Sequence, residues 1–431
     1  MQNYKISTLK NGLKVLTVPS KEVMSVKTEM IIKTGAEYET VKSQGISHVL
    51  EHMCFKGTKN YPGVKDISQE IDNIGGIYNA YTDNEVTGYW TKVDKKYLDK
   101  SLDIISDMYL YPLFPAGELE KEKGVIIEEI HMYNDNPMDH VNDVFTGLMY
   151  GENNPGGWSI AGTAESVNAV TREDLVNYAT KQYTASNSLL VISGNFDEKK
   201  VLTRLEYYFS KASIKTAKAK NKVKKLPQKT PKTKLEYRTS DQCHLILGFP
   251  SINVFSSKKY ALQVLLTILN GGMSARLFKV IRDELGAAYY ISADNAAYLD
   301  YGFFFISTGL NINKVNVGLK GIVSQLNDMS KGKISEEEFK NAKTNLEGKL
   351  ALSLDSVYNY ANWIAKDVIL NQPYETPQEY LAKINRITMK DVVRLAKEIF
   401  APDQLNLAMI SPFKQTKAEA FLKDIKKGWR G

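Results

Sequence analysis

Residues 43–55 read Ser43-Gln44-Gly45-Ile46-Ser47-His48-Val49-Leu50-Glu51-His52-Met53-Cys54-Phe55. Apolar side chains fall at Ile46, Val49, Leu50 and Met53, the spacing of one buried helix face, and Gly57 supplies a stop. The opposite face carries His48, Glu51 and His52. Residues four apart on a helix stand one turn above each other, so both imidazoles can reach one zinc ion at about 2.0–2.1 Å. Glu51 lies beside them, placed to take a proton from a metal-bound water whose pKa is brought towards about 7. With five His in 431 residues, chance yields this pattern in roughly 0.4% of such chains, so accident is a poor account of it.

A catalytic zinc takes three protein ligands and leaves the fourth position to water. The third is expected elsewhere in the same half, and a helix expected from Glu118 to Tyr133 is the place to look. Glu128, Glu129, His131 and Asp135 are all of the right chemistry, and spacing alone does not choose among them. Cys54, two residues past His52, is expected to pack away from the metal face. His140 and His244 have no partner pattern.

Working outward, Val26–Lys33, Gly76–Tyr81 and Val86–Val93 have the β-branched and aromatic content of strands, the last two forming a hairpin around Asp83-Asn84. Lys95–Tyr109, Glu118–Tyr133 and Met138–Met149 read as amphipathic helices. A weak internal repeat follows. Thr171-Arg172-Glu173-Asp174-Leu175 matches Thr388-Met389-Lys390-Asp391-Val392, each with an N-cap Thr and each followed by an apolar strand, Ser188–Ser193 or Leu405–Ile410. The expectation is an α+β fold of two duplicated domains, each a mostly antiparallel sheet with helices packed on it.

Between the halves, Lys211–Lys234 holds lysines at 211, 215, 218, 220, 222, 224, 225, 229, 232 and 234, with Pro227 and Pro231 and no acidic residue. It reads as a solvated linker, giving a metal-binding domain over 1–210, a linker over 211–234 and a domain without metal ligands over 235–431. Much of the net charge of +7 sits there. No aromatic residues interleave the lysines as a nucleic-acid stacking surface requires, so no nucleic-acid partner is expected. The longest apolar run, Tyr260–Leu269, is too short to span a membrane. The first residues lack a secretory h-region, and the only cysteines, Cys54 and Cys243, are far apart and read as reduced, so a cytoplasmic location is expected.

The blocks Gly45–Thr58, Asn79-Ala80-Tyr81-Thr82 and Glu122–Glu129 resemble the pitrilysin/insulinase family of inverted zinc peptidases, above all the catalytic subunit of the mitochondrial processing peptidase and its bacterial relatives. The likeness covers essentially the whole chain. It implies a zinc metalloendopeptidase cutting peptides or unfolded segments in an enclosed chamber, with Glu129, 77 residues beyond His52, as the third ligand. Glu122, two turns earlier on the same helix face, is then placed to orient a ligating histidine. The resemblance also implies that Asn79 and Ala80 edge the cleft and bind extended substrate through the main chain. It further makes Arg282 and Tyr289 a catalytic pair that steadies the substrate carbonyl. Larger relatives enclose a cavity with four such domains, so a two-domain chain implies a homodimer, or a heterodimer with a degenerate sister. The alternative reading is a non-catalytic peptide-binding or partner subunit; intact His48, Glu51, His52 and Glu129 argue against it.

Overall fold

The computed structural model describes residues 3–429. Eleven strands form two sheets: β1 (Lys5–Thr8), β2 (Lys14–Pro19), β3 (Ser25–Ile32), β4 (Ile77–Thr82), β5 (Thr87–Asp94) and β6 (Ser188–Gly194) in the first, then β7 (Lys232–Tyr237), β8 (Gln242–Pro250), β9 (Ala288–Ala297), β10 (Gly302–Asn311) and β11 (Asn406–Ser411) in the second. The helices are α1 (Ile46–Met53), α2 (Asp66–Asn73), α3 (Leu98–Leu110), α4 (Ala116–Asp135), α5 (Pro137–Tyr150), α6 (Ala164–Ala169), α7 (Arg172–Gln182), α8 (Glu198–Phe209), α9 (Lys259–Asn270), α10 (Val315–Ser330), α11 (Glu336–Ser353), α12 (Val357–Ile369), α13 (Pro377–Arg386), α14 (Met389–Ile399) and α15 (Gln415–Trp429).

Duplication is written into the sheet orders, β1-β2-β6-β3-β5-β4 and β7-β11-β8-β10-β9. In each, a strand from early in the half pairs parallel with the half's closing strand, β2 with β6 and β7 with β11, and every other pairing is antiparallel. The matching helices α7 and α14 open on Thr171 and Thr388, whose hydroxyls accept the N–H of Asp174 and Asp391 while those carboxylates bond back to the Thr N–H. Local sequence thus fixes the same start in both halves.

The compact units do not follow the contiguous domain boundaries expected from the sequence. The first takes residues up to His131, Trp158–Lys222 and Ser353–Tyr374; the second takes Met132–Gly157, Val223–Leu352 and Glu375 onward. Each half of the chain therefore gives one helix away. The closing strand β6 is buried along its whole length, which demands cover on both faces, and α12 packs on β2, β3 and β6. There Tyr358 bonds Ser25 through its hydroxyl at 2.6 Å and Lys92 lies 4.1 Å over its ring. In the second unit α5 packs on β7, β8 and β11, with Phe145 and Phe303 rings 5.5 Å apart.

The solvated-linker reading of 211–234 is corrected at Lys220–Val223 and Lys232–Lys234, although most of the lysines between 211 and 229 are exposed. Lys220 is largely buried in the first unit, its side chain 10% exposed, ion-paired with Glu37 at 2.6 Å and hydrogen-bonded to Glu85 at 2.6 Å. Asn221 beside it bonds the carbonyls of Glu37 and Glu39, while Val223 is buried in the second unit and Lys232–Lys234 already belong to β7. Buried lysine needs a counter-charge, and composition alone did not disclose that Glu37 and Glu85 supply one. No helix among the described residues is long and apolar enough to cross a membrane.

Candidate metal centre

Helix α1 is shorter than its pattern suggested, because Val41–Ser43 forms a separate 3-10 turn and Gly45, at φ 84°, starts the helix in the left-handed region. A Cβ at Gly45 would lie 2.5 Å from the Ala161 carbonyl oxygen, so glycine alone allows this approach. Ile46, Val49, Leu50 and Met53 are all buried in the core of the first unit. That seals one face and turns His48, Glu51 and His52 to the other.

The two histidine Nε2 atoms stand 3.2 Å apart. Glu129 reaches them from α4, its Oε2 lying 3.8 Å from His48 Nε2 and 3.7 Å from His52 Nε2. Glu128 and His131 are exposed and face each other at 3.5 Å, and Asp135 is exposed, so Glu129 is the member of that set which joins the histidines. Ligands at about 2.0–2.1 Å around a tetrahedral zinc are separated by roughly 3.3–3.4 Å, close to these three spacings. Two imidazole nitrogens and a carboxylate oxygen converging this tightly fit one such cation. The donor set of nitrogen and oxygen suits zinc.

The surroundings tune each group. Glu122 Oε1 is 2.9 Å from His52 Nδ1, and Lys56 Nζ is 2.7 Å from Glu122 Oε2. A proton on His52 Nδ1, donated to Glu122, leaves the Nε2 lone pair free for a metal. Burial opposes charge on both partners, yet the pair outweighs it. The Glu122 bond and the carboxylates of Glu51 and Glu129 hold His52 above its ordinary pKa, while His52 and Lys56 hold Glu122 below the carboxylate range. His48 is pushed down to about 4, first by burial and then by His52, so it is neutral near pH 7, as a ligand must be, whereas His52 would have to release its Nε2 proton to a bound metal. Burial raises the Glu51 carboxyl, with Glu129 adding to the rise and the Thr82 hydrogen bond opposing it.

Thr82, at the end of β4, donates to Glu51 Oε2 at 2.5 Å. The sequence reading assigns no role to Thr82 or Lys56; their contacts with Glu51 and Glu122 cross the fold, and no helix or strand period signals them. Asn79 and Ala80 lie on β4, the edge strand of the first sheet, paired on one side to Trp90 and Tyr89 of β5. In the second unit, Arg282 stands on the π-helical turn Phe278–Glu284, its guanidinium 4.6 Å over the Phe278 ring. Tyr289 is 55% exposed near the start of β9, the edge strand of the second sheet. Cys54 is buried, as its position past His52 led one to expect. His140 is paired with Glu236 and His244 with the Tyr290 hydroxyl.

Comparison with known proteins bears on what such a centre belongs to. Residues 14–163 match the family described as "Insulinase (Peptidase family M16)", and residues 169–346 match the "Peptidase M16 inactive domain". The chain belongs to peptidase family M16. Among M16 relatives, a Rickettsia felis protein named "Uncharacterized zinc protease" is 36% identical over 404 residues, covering 93% of this chain and 96% of its own length. A Bacillus subtilis protein, "Uncharacterized zinc protease YmxG", is 33% identical over 405 residues, covering 94% and 97%. The crystal structure of a protease from Helicobacter pylori superposes with a TM-score of 0.90 over 96% of this chain and all of that one, at 24% identity, a likeness of fold. The metal-ligand candidates all lie inside the segment matched by the insulinase model, and Arg282 and Tyr289 inside the one described as inactive.

Proposed function

We propose that this M16 chain is an active zinc metalloendopeptidase, with His48, His52 and Glu129 as metal ligands and Glu51 as general base. The observation that carries the reading is the convergence of three ligand atoms within 4.8 Å of one another, with the Glu51 carboxyl on the same helix. When bound, zinc supplies a Lewis acid and a water acidified to near neutrality. Glu51 would serve as the base towards an attacking water; Thr82 holds Oε2, which leaves Oε1 to receive a proton. A carboxyl raised by burial is a better-matched base near neutral pH and can hand the proton on to the departing amine. Glu122 keeps His52 in the tautomer whose Nε2 is free.

Substrate is an extended peptide or unfolded segment. It adds to the outer edge of β4 at Asn79 and Ala80, where main-chain hydrogen bonds give affinity largely independent of sequence. Arg282 and Tyr289 are assigned as donors to the substrate carbonyl as it gains negative charge. The block Gly45–Thr58 resembles that of processing-type peptidases, and the assembly we propose is a homodimer, or a pairing with a degenerate sister, in the cytoplasm. Buried, unpaired Cys54 and Cys243 suit a reducing compartment. A peptide-library digest read by mass spectrometry tests the activity. Cleavage should appear with stoichiometric zinc and vanish with chelator. Cleavage that persists in a chelated His48→Ala/His52→Ala variant would remove the assignment.

A further inference from the structure

Helix α1 cannot cap itself. Its N-cap is Gly45, which has no side chain and tolerates none beside Ala161, yet the first N–H groups of any helix need acceptors. The acceptors come from Glu39, six residues upstream and 1% exposed: Oε2 accepts the Gly45 N–H at 2.7 Å and Oε1 accepts the Ser47 N–H at 2.9 Å. Ser47 is held on its other side as well, its hydroxyl 2.8 Å from that of Tyr178, which bonds Thr34 at 2.9 Å. His48 follows directly and His52 one turn later. In a helix of eight residues the phase of the first turn sets where both imidazoles point.

Glu39 is itself tied down by the lysine-rich segment. Asn221 donates its side-chain N–H groups to the carbonyls of Glu37 at 3.0 Å and Glu39 at 2.5 Å, and its backbone N–H to Glu37 at 3.1 Å. Lys220 pairs with the Glu37 side chain. We propose that Glu39 is a positioning residue for metal binding, a carboxyl clamp supplied from the preceding loop that sets the orientation of His48 and His52, and that Asn221 holds the clamp in place. The inference rests on the reading of the metal centre given above.

The test is zinc affinity, measured by competition with a chromogenic chelator on metal-stripped protein, for wild type, Glu39→Gln, Asn221→Ala and a control, Leu205→Ala. Leu205 is buried in α8, which packs on α3. Glutamine keeps one acceptor oxygen but turns an NH₂ group towards the second N–H. Glu39→Gln should therefore bind zinc about tenfold or more weakly, the usual effect of losing a group that orients metal ligands, and Asn221→Ala should weaken it by less. The control, destabilised by a cavity away from α1, should keep wild-type affinity while folded. The proposal falls if folded Glu39→Gln binds zinc like wild type, or if the control loses as much affinity. Should Glu39→Gln fail to fold, Asn221→Ala decides, and wild-type affinity there overturns the clamp. A wild-type chain that takes up no zinc sinks the metal centre and this inference together, whereas zinc uptake unaffected by Glu39→Gln sinks the inference alone.

Discussion

Replacing Lys220 with Met removes the cation between two carboxylates whose side chains are 0% and 7% exposed, Glu37 and Glu85. Methionine fills most of the volume, so the loss is electrostatic rather than one of packing. Breaking a buried ion pair by deleting one partner typically costs about 3–5 kcal/mol, because the remaining charge has been taken out of water without compensation. Two carboxylates share this lysine, so the upper end of the range applies. At about 2–4 °C per kcal/mol for a unit of roughly 220 residues, the melting transition of the first unit should fall by about 10 °C or more. The comparison is a variant in which exposed Lys211, Lys215, Lys224, Lys225 and Lys229 are all changed to Gln; surface changes of this kind stay within about 0.5 kcal/mol each. Differential scanning calorimetry reads both. A Lys220→Met midpoint within about 2 °C of wild type would refute the argument that this segment is anchored by a buried charge, as would an equal loss in the five-lysine variant.

Glu51→Gln should keep zinc and fold while lowering turnover at least about 10²-fold, since the amide cannot take a proton; near-wild-type kcat in the metal-loaded variant rules out its role as base. Glu39 gives a pH prediction for the metal-free protein. Burial pushes its carboxyl up to about 8, against hydrogen bonds from Ser47 and Gly45, so the folded chain retains a proton that the unfolded chain releases near its usual 4.5. Its stabilisation is whole below that value and is lost as pH rises through 8. Between pH 5 and 8 the wild-type melting midpoint should drop more steeply than that of Glu39→Gln, and parallel curves would contradict the shift. Mixing Glu51→Gln with Arg282→Ala under subunit exchange should restore activity if the homodimer builds sites from two chains; purely additive residual activity rejects the composite site.

The candidate metal-binding face of α1 was legible because it is a local property. Histidines at positions 48 and 52 share a face of any helix, and Ile46, Val49, Leu50 and Met53 guarantee that this face is not the buried one. The repeat was legible for the same reason, since the boxes at Thr171 and Thr388 are made within four residues. The candidate third ligand was not legible from helical period, and only the family resemblance named Glu129. Glu128 and Glu129 are neighbours turned about 100° apart on a helix. The apolar pattern of α4 does not decide between them, because Val125 and Met132 are apolar yet 54% and 61% exposed. What places Glu129 beside the histidines is the packing of Leu119, Ile126 and Ile130 into the core.

By itself, then, the sequence determined the chemistry offered by one helix, the strand and helix order of each half, and their kinship. Contacts between residues far apart in the chain decided the rest. They put Glu129 rather than Glu128 beside His48 and His52, set β2 parallel to β6, sent α12 and α5 to cover sheets outside their own halves, and drew Lys220 and Asn221 out of an apparent linker onto the loop that caps α1. A helical period reports only which residues share a face. Which partner that face meets depends on burying area and pairing charge across the whole fold, and those energies have no short-range signature.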